Sequence, residues 1–222
     1  MDVQTMTEGS TGSPARPRIQ SLSDLIFGLA LSIGALTLIG QKPSDFQGLV
    51  LSILYYGFSF LILINIWRSY TRTMSLLPVE TARLINLNIL LLFLVSIEPY
   101  LFNQLLASSL VMAQNVSILY AFDLGGLTAI QTFFTNSLIS EKKKSIPEQL
   151  LREYKVRRNL QLIIAVIFFV SAIPVFWSWM VELGNTAGIP LRLIFWFIAL
   201  FLSLLGYRWI EPKTGKRISS LI

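Results

Sequence analysis

The chain has 222 residues, of which 54% are hydrophobic and 14% charged, and its mean hydropathy is +0.64. This composition leaves too little polar surface for a water-soluble globule, so lipid is the expected solvent. The sequence contains no Cys and no His, which excludes disulfides, thiolate nucleophiles and His-based metal sites or general bases. Lys and Arg outnumber Asp and Glu by 18 to 12, but they are scattered between apolar runs, so nucleic acid is not an expected partner.

Six apolar runs predict an all-α, polytopic membrane protein with six transmembrane helices, because each is long enough to cross a bilayer at a rise of about 1.5 Å per residue. The runs cover residues 22–40, 46–66, 84–104, 117–138, 159–180 and 190–208. The fourth run is the least clear, since polar residues and a Gly pair dilute it. A disordered N-terminal tail is expected over residues 1–16, the transmembrane domain over 17–210, and a C-terminal tail over 211–222.

The basic residues predict the orientation of the chain in the membrane. With six spans drawn, 16 of the 18 Lys and Arg residues lie on one side, and only Lys42 and Arg192 lie on the other. Basic residues concentrate on the cytoplasmic side of membrane proteins. Both termini, including the C-terminal tail, are therefore expected in the cytoplasm.

The segment from Arg18 to Asp24, which leads into the first predicted helix, contains the first candidate functional residues. Helix capping explains it equally well, because Ser21 or Ser23 could bond the free N–H groups of the first turn and Asp24 would complement the positive end of the helix dipole. Both interpretations stay open on these residues alone.

An apolar stripe follows on the same predicted helix, formed by Leu22, Ile26, Leu29, Ile33 and Leu36, with Ser32 beside it. The spacing places these side chains on one helix face. A stripe of this kind usually serves only packing, so it indicates no function by itself.

These residues resemble a known family, the endosomal and lysosomal potassium channels of the transmembrane protein 175 type. Their first helix opens with the pattern R-x-x-x-F-S-D, which is matched by Arg18, Leu22, Ser23 and Asp24, with Leu in place of Phe. FSFLILINIWRS, which contains Trp67, resembles the second helix of the family. LINLNILLLFLVSIEPY, which contains Asn88, resembles the third, and SILYAFDLGGL is similar to the fourth more weakly.

The chain departs from the family pattern at two places. Tyr70 and Thr71 stand where the family often has a His pair after the Trp, so any role of that pair is expected to be lost. Ser32 matches the Thr layer of the first helix, and it keeps the hydroxyl but not the methyl group.

The resemblance implies a single-repeat prokaryotic channel of the plasma membrane, a homotetramer with a central pore lined by the four first helices. Leu29, Ile33 and Leu36 would form apolar rings that gate by excluding water, and Ser32 would supply the selectivity layer. K⁺ is the expected permeant ion, Cs⁺ a second one, and no other metal, cofactor or enzymatic activity is implied. The sequence contains no TVGYG-type filter.

The resemblance also implies a polar network on the cytoplasmic side of the pore. Arg18, Ser23 and Asp24 would hold the first helix against Trp67 and Asn88. For Asn88, an interhelical hydrogen bond without further function is an equally good interpretation.

Three other classes of function stay open. A proton-coupled secondary transporter would use Asp24 and Asp123, since acids within spans are candidate functional groups. An intramembrane aspartyl protease would pair the same two acids, but AFDLGG lacks the G-x-G-D pattern of that class. A structural or assembly protein of the membrane would show no ion flux after reconstitution.

Overall fold

The computed structural model describes residues 15–40, 45–77, 81–107, 109–142, 147–181 and 189–210. These residues form seven helices and one short antiparallel strand pair. The elements are α1 (Ala15–Gly40), α2 (Phe46–Met74), α3 (Ala82–Ala107), α4 (Leu110–Lys142), α5 (Glu148–Ser171), α6 (Val175–Ser178), β1 (Met180–Val181), β2 (Ile189–Pro190) and α7 (Leu191–Ile210). Residues 1–14 and 211–222, where most of the two predicted tails fall, lie outside the described part.

Four of the six predicted spans lie in helices that are long and apolar enough to cross a membrane. These segments are Ile19–Ile39, Phe46–Met74, Ala82–Leu106 and Val111–Lys142. The apolar part of α7, Leu191–Gly206, is shorter. The fold is therefore all-helical and multi-pass, while the six-span topology and the cytoplasmic termini stay predictions.

The fifth predicted run, 159–180, is divided in the structure. The helix α5 ends at Ser171, and α6 starts only at Val175. Pro174 lies between them, and it has no N–H to continue the helical hydrogen bonds and disfavours helical geometry at Ile173. The expectation of one continuous segment was therefore wrong for residues 172–180.

Arg192 caps the C-terminal end of α5 with hydrogen bonds. It is buried, and its guanidinium donates to the carbonyl oxygens of Ser171 at 2.6 Å and Ile173 at 2.9 Å. A third hydrogen bond goes to the hydroxyl of Ser117 on α4. The last carbonyls of a helix have no hydrogen-bond partner within it. The Arg192 side chain supplies donors to carbonyl oxygens at the break between α5 and α6.

The helices pack in a sequence that leaves α1 at one edge. The helix α1 packs on α2 and α3, α3 packs on α4, α4 packs on α5, and α5 packs on α7. The fourth predicted span becomes the centre of the bundle, and its polar residues Asp123, Thr128, Gln131 and Thr135 are all buried against other helices. These polar residues lower the mean hydropathy of the span, and their burial between helices explains how a membrane-spanning helix can contain them.

Candidate functional site

The first component of the candidate site is an uncovered apolar face on α1. Leu29, Ile33 and Leu36, the predicted pore constriction, are 52%, 44% and 60% exposed in the single chain. Leu22 is also exposed, whereas Ile26, which was predicted to lie on the same stripe, is half-buried and is not part of the exposed face. This face makes few contacts within its own chain, and it is available to lipid or to another subunit.

Ser32 lies on the same uncovered face. Its hydroxyl donates to the carbonyl oxygen of Gly28 in the preceding turn at 2.8 Å. That bond uses the only proton of the hydroxyl, so its lone pairs stay free to accept a hydrogen bond or to coordinate a cation. A ring of such oxygens would be electronegative.

The opposite face of α1 is fixed against the rest of the chain. Phe27 and Ala30 are each 1% exposed. The ring of Phe27 lies 5.7 Å from that of Tyr70 on α2, measured between centroids. The difference between the two faces shows that α1 has one side committed to its own subunit and one side uncommitted.

A chain of hydrogen bonds fastens the first turns of α1 to α2 and α3. The hydroxyl oxygens of Ser23 and Tyr70 lie 2.7 Å apart, and Tyr70 donates to Oδ1 of Asn88 at 2.8 Å. Ser23 also lies 2.8 Å from the carbonyl oxygen of Ile19. All three linked side chains are buried, so three helices meet at one polar point inside an apolar bundle.

A further hydrogen bond joins α1 and α2 next to this polar point. The indole Nε1 of Trp67 donates to Oδ1 of Asp24 at 2.9 Å. The structure thus brings together Ser23, Asp24, Trp67 and Asn88, the predicted network residues. We call these four residues and Tyr70 the α1 anchor. The fifth predicted member, Arg18, lies in the first turn of α1, and its side chain lies outside the described residues.

Tyr70 is the member that sequence analysis missed. For its position the only expectation was that any role of the family's His pair is lost, whereas the Tyr70 hydroxyl is the link between Ser23 and Asn88. A signal was present in the sequence, since Trp67 and Tyr70 are three residues apart and therefore share a helix face.

A second buried polar cluster lies towards the other end of α2. Glu98 of α3 accepts hydrogen bonds from the hydroxyls of Tyr120 at 2.8 Å and Ser59 at 3.0 Å. Asp123 lies one turn along α4 from Tyr120, and it is buried without a hydrogen-bond partner among the described residues. Sequence analysis paired Asp123 with Asp24, but Asp24 belongs to the α1 anchor, and the acid on the same side of α4 as Asp123 is Glu98, which is bonded to Tyr120.

Comparisons with known proteins support the arrangement of the first three helices. Residues 18–99 match the family model described as "Endosomal/lysosomal potassium channel TMEM175", and this stretch contains the whole α1 anchor and Glu98. The fold is similar to the crystal structure of a lysosomal potassium-selective channel TMEM175 homolog from Chamaesiphon minutus, with a TM-score of 0.58 and 18% identity. That similarity covers 88% of this chain and 99% of the other. A search of curated proteins found no match.

The resemblance to this channel family, which the residues of the first helices indicated, is therefore confirmed. The sequence match reaches from α1 to Pro99 in α3, and the structural match extends the similarity to the fold. The α1 anchor and the uncovered stripe both lie within the matched region.

Proposed function

We propose that this chain is the subunit of a potassium-permeable channel of the plasma membrane, in which four α1 helices surround a central pore. The observation that carries the proposal is the uncovered apolar face of α1, next to a helix face that is fully packed. The family match adds support, because the family model and the similar crystal structure are both described as potassium channels.

The proposed gate consists of Leu29, Ile33 and Leu36. In a tetramer each would supply a ring of four branched side chains, and a narrow apolar ring excludes water and so blocks ions until it widens. Ser32 would add a ring of hydroxyl oxygens that replaces part of the hydration shell of K⁺ or Cs⁺. Selectivity would then depend on pore width and side-chain oxygens.

The α1 anchor has the role of holding the cytoplasmic end of each pore helix. Its donors and acceptors fix α1 to α2 and α3, and Arg18 is proposed to join it. Polar and ionisable groups within membranes are costly unless they are paired, so the anchor favours one position of α1 over others.

The test of the pore is a flux assay in proteoliposomes with K⁺, Cs⁺ and Na⁺ gradients. Ile33→Asn should raise the resting flux and admit more Na⁺ relative to K⁺, because a polar ring no longer excludes water. The matched control is Ile163→Asn, at a similarly exposed isoleucine of α5, which should leave the flux unchanged. A folded, tetrameric Ile33→Asn variant with the flux and selectivity of the wild type would remove the α1 pore.

Ser32→Ala tests the selectivity layer in the same assay. It removes four hydroxyls from a tetramer without widening the apolar rings, so the preference for K⁺ should fall while resting flux stays low. An unchanged K⁺ to Na⁺ ratio would contradict the proposed role of Ser32.

The oligomeric state provides an independent test. One chain contributes a single α1, so a central pore requires several copies, and a tetramer is expected in mild detergent by light scattering. A monomer that still conducts K⁺ would exclude the central pore.

Asp123 is buried and has no hydrogen-bond partner in the described part of the chain, which favours one rival function, a proton-coupled secondary transporter using Asp24 and Asp123. A channel conducts K⁺ passively without a proton gradient, whereas the transporter would need one. The separate surroundings of the two acids weigh against a shared carrier site, since Asp24 accepts from Trp67, whereas Asp123 lies one turn along α4 from Tyr120, which bonds Glu98.

A further inference from the structure

We infer that Glu98 and Asp123 form a proton-binding site inside the bundle, between α3 and α4, which takes its proton from water on the side where α1 ends and α2 begins. This inference is independent of the proposed pore, because neither acid lies on the uncovered face of α1.

The two carboxyl groups are enclosed by protein. Glu98 is 0% and Asp123 3% exposed. Both oxygens of Asp123 are buried and accept no hydrogen bond from the described residues. Glu98 has two hydroxyl donors, Tyr120 and Ser59. Among the described residues, two hydroxyl groups therefore donate hydrogen bonds to the four carboxyl oxygens of the pair, and both donate to Glu98.

No cation among the described side chains is directed at the pair. On α2 the neighbour is the neutral Ser59, and on α4 it is Tyr120. Arg192 of α7 bonds Ser117 and the carbonyl oxygens at the end of α5. Arg157 of α5 bonds Ser69, ten residues along α2 from Ser59, which corresponds to about 15 Å.

These surroundings favour a bound proton. A buried carboxylate without a donor or a cation is costly, and two negative charges close together are costlier still. When a carboxylate takes a proton from a hydronium ion, an O–H bond forms, one water molecule remains, and one negative charge is removed. The neutral acid can also donate a hydrogen bond to the other carboxylate, which an ionised carboxylate cannot do.

Water can approach the pair through a small cavity at the junction of α1, α2 and α3. Thr37, Ser52 and Ser59, which carry hydroxyl groups, are among the residues that line it, and its volume is about 10 Å³. This is close to the minimum for one water molecule, which also needs two or more polar partners. Ser59 lines the cavity and bonds Glu98, so it connects the water position to the acid pair.

Infrared spectroscopy of the purified chain in lipid nanodiscs tests the site directly. At neutral pH the protein should show the C=O stretch of a protonated carboxyl, shifted in D₂O. Asp123→Asn or Glu98→Gln should abolish this band, according to which acid holds the proton. The matched control, Glu141→Gln, removes an exposed acid at the end of the same helix and should leave the band in place.

The wild-type protein alone also tests the inference, should the variants fail to fold. Its band should disappear as the pH is raised through one midpoint. Below that midpoint, and above the pH at which a solvated carboxyl ionises, the folded chain binds one proton more than the unfolded chain. Its folded-to-unfolded ratio should therefore fall tenfold per pH unit as the pH rises towards the midpoint, and level off above it. Asp123→Asn or Glu98→Gln should remove this slope.

Two results would overturn the inference. One is the absence of a protonated carboxyl band at neutral pH. The other is a stabilisation by K⁺ or Na⁺ that Asp123→Asn removes, which would identify the pair as a metal-cation site with ionised acids.

Discussion

Removing one oxygen atom from Tyr70 tests the α1 anchor more sharply than any other single change. In Tyr70→Phe the ring stays in contact with Phe27, so no large cavity opens, but Oδ1 of buried Asn88 loses its donor. Ser23 keeps the carbonyl oxygen of Ile19 as its acceptor, so one bond is lost outright. Interhelical hydrogen bonds in membranes average about 0.6 kcal/mol, and a stranded buried acceptor costs about 1 to 3 kcal/mol. The expected loss in the free energy of unfolding is therefore about 1 to 2 kcal/mol.

The assay is unfolding in mixed micelles with increasing SDS, followed by tryptophan fluorescence. The control is Tyr55→Phe on the same helix, where the side chain is exposed and the change should stay within about 0.5 kcal/mol. Replacing Asn88 by Leu in the Tyr70→Phe background should recover part of the loss, because no acceptor is then stranded. If Tyr70→Phe were as stable as Tyr55→Phe, the anchor would contribute nothing to the position of α1.

Two further predictions concern the packing of the bundle and use the same assay. Arg192→Met strands the carbonyl oxygens at the end of α5 and should cost about 3 kcal/mol or more, whereas Arg68→Met on the exposed surface should be nearly neutral. Gly125→Leu should lower the stability or the folded yield, since even a Cβ there would come within 2.9 Å of the Phe169 ring and overpacking costs about 1 to 3 kcal/mol. Gly57→Leu is the control, because nothing lies within 4 Å of that position, and an equal loss in both variants would contradict close α4–α5 packing.

Hydropathy was sufficient to place the first four helices, because a bilayer demands long apolar segments and few other structures satisfy it. It was least informative for α4, whose polar residues are buried between helices. Helical continuity was overestimated in the fifth run, although Pro174 was a visible signal that the helix would stop. Mean hydropathy does not report which polar residues are buried between helices, because that depends on tertiary packing. It also does not report where the backbone breaks a helix.

Two functional candidates could have been found from the sequence and were not. Tyr70 shares a helix face with Trp67, and Glu98 is an acid in the middle of an apolar run, which by itself marks a candidate functional group. The placement of Glu98 near Asp123 could not have been predicted, because the two acids lie on different helices and come together only through the packing of α3 against α4. Spacing along one helix is readable from sequence, whereas contact between helices is not.

The two polar clusters together fix how α2 and α3 lie against each other. Tyr70 bonds Asn88, and Ser59 bonds Glu98, so a step of eleven residues backwards on α2 matches a step of ten residues forwards on α3. This is the register of two antiparallel helices held at two points about 15 Å apart. The backbones of α2 and α3 are in contact over a short stretch only, and apolar side chains gain little by choosing a helix over lipid. A slip of one turn would strand Asn88 and Glu98 at once, so these side chains, rather than the apolar surface between them, determine the frame on which the anchor holds α1.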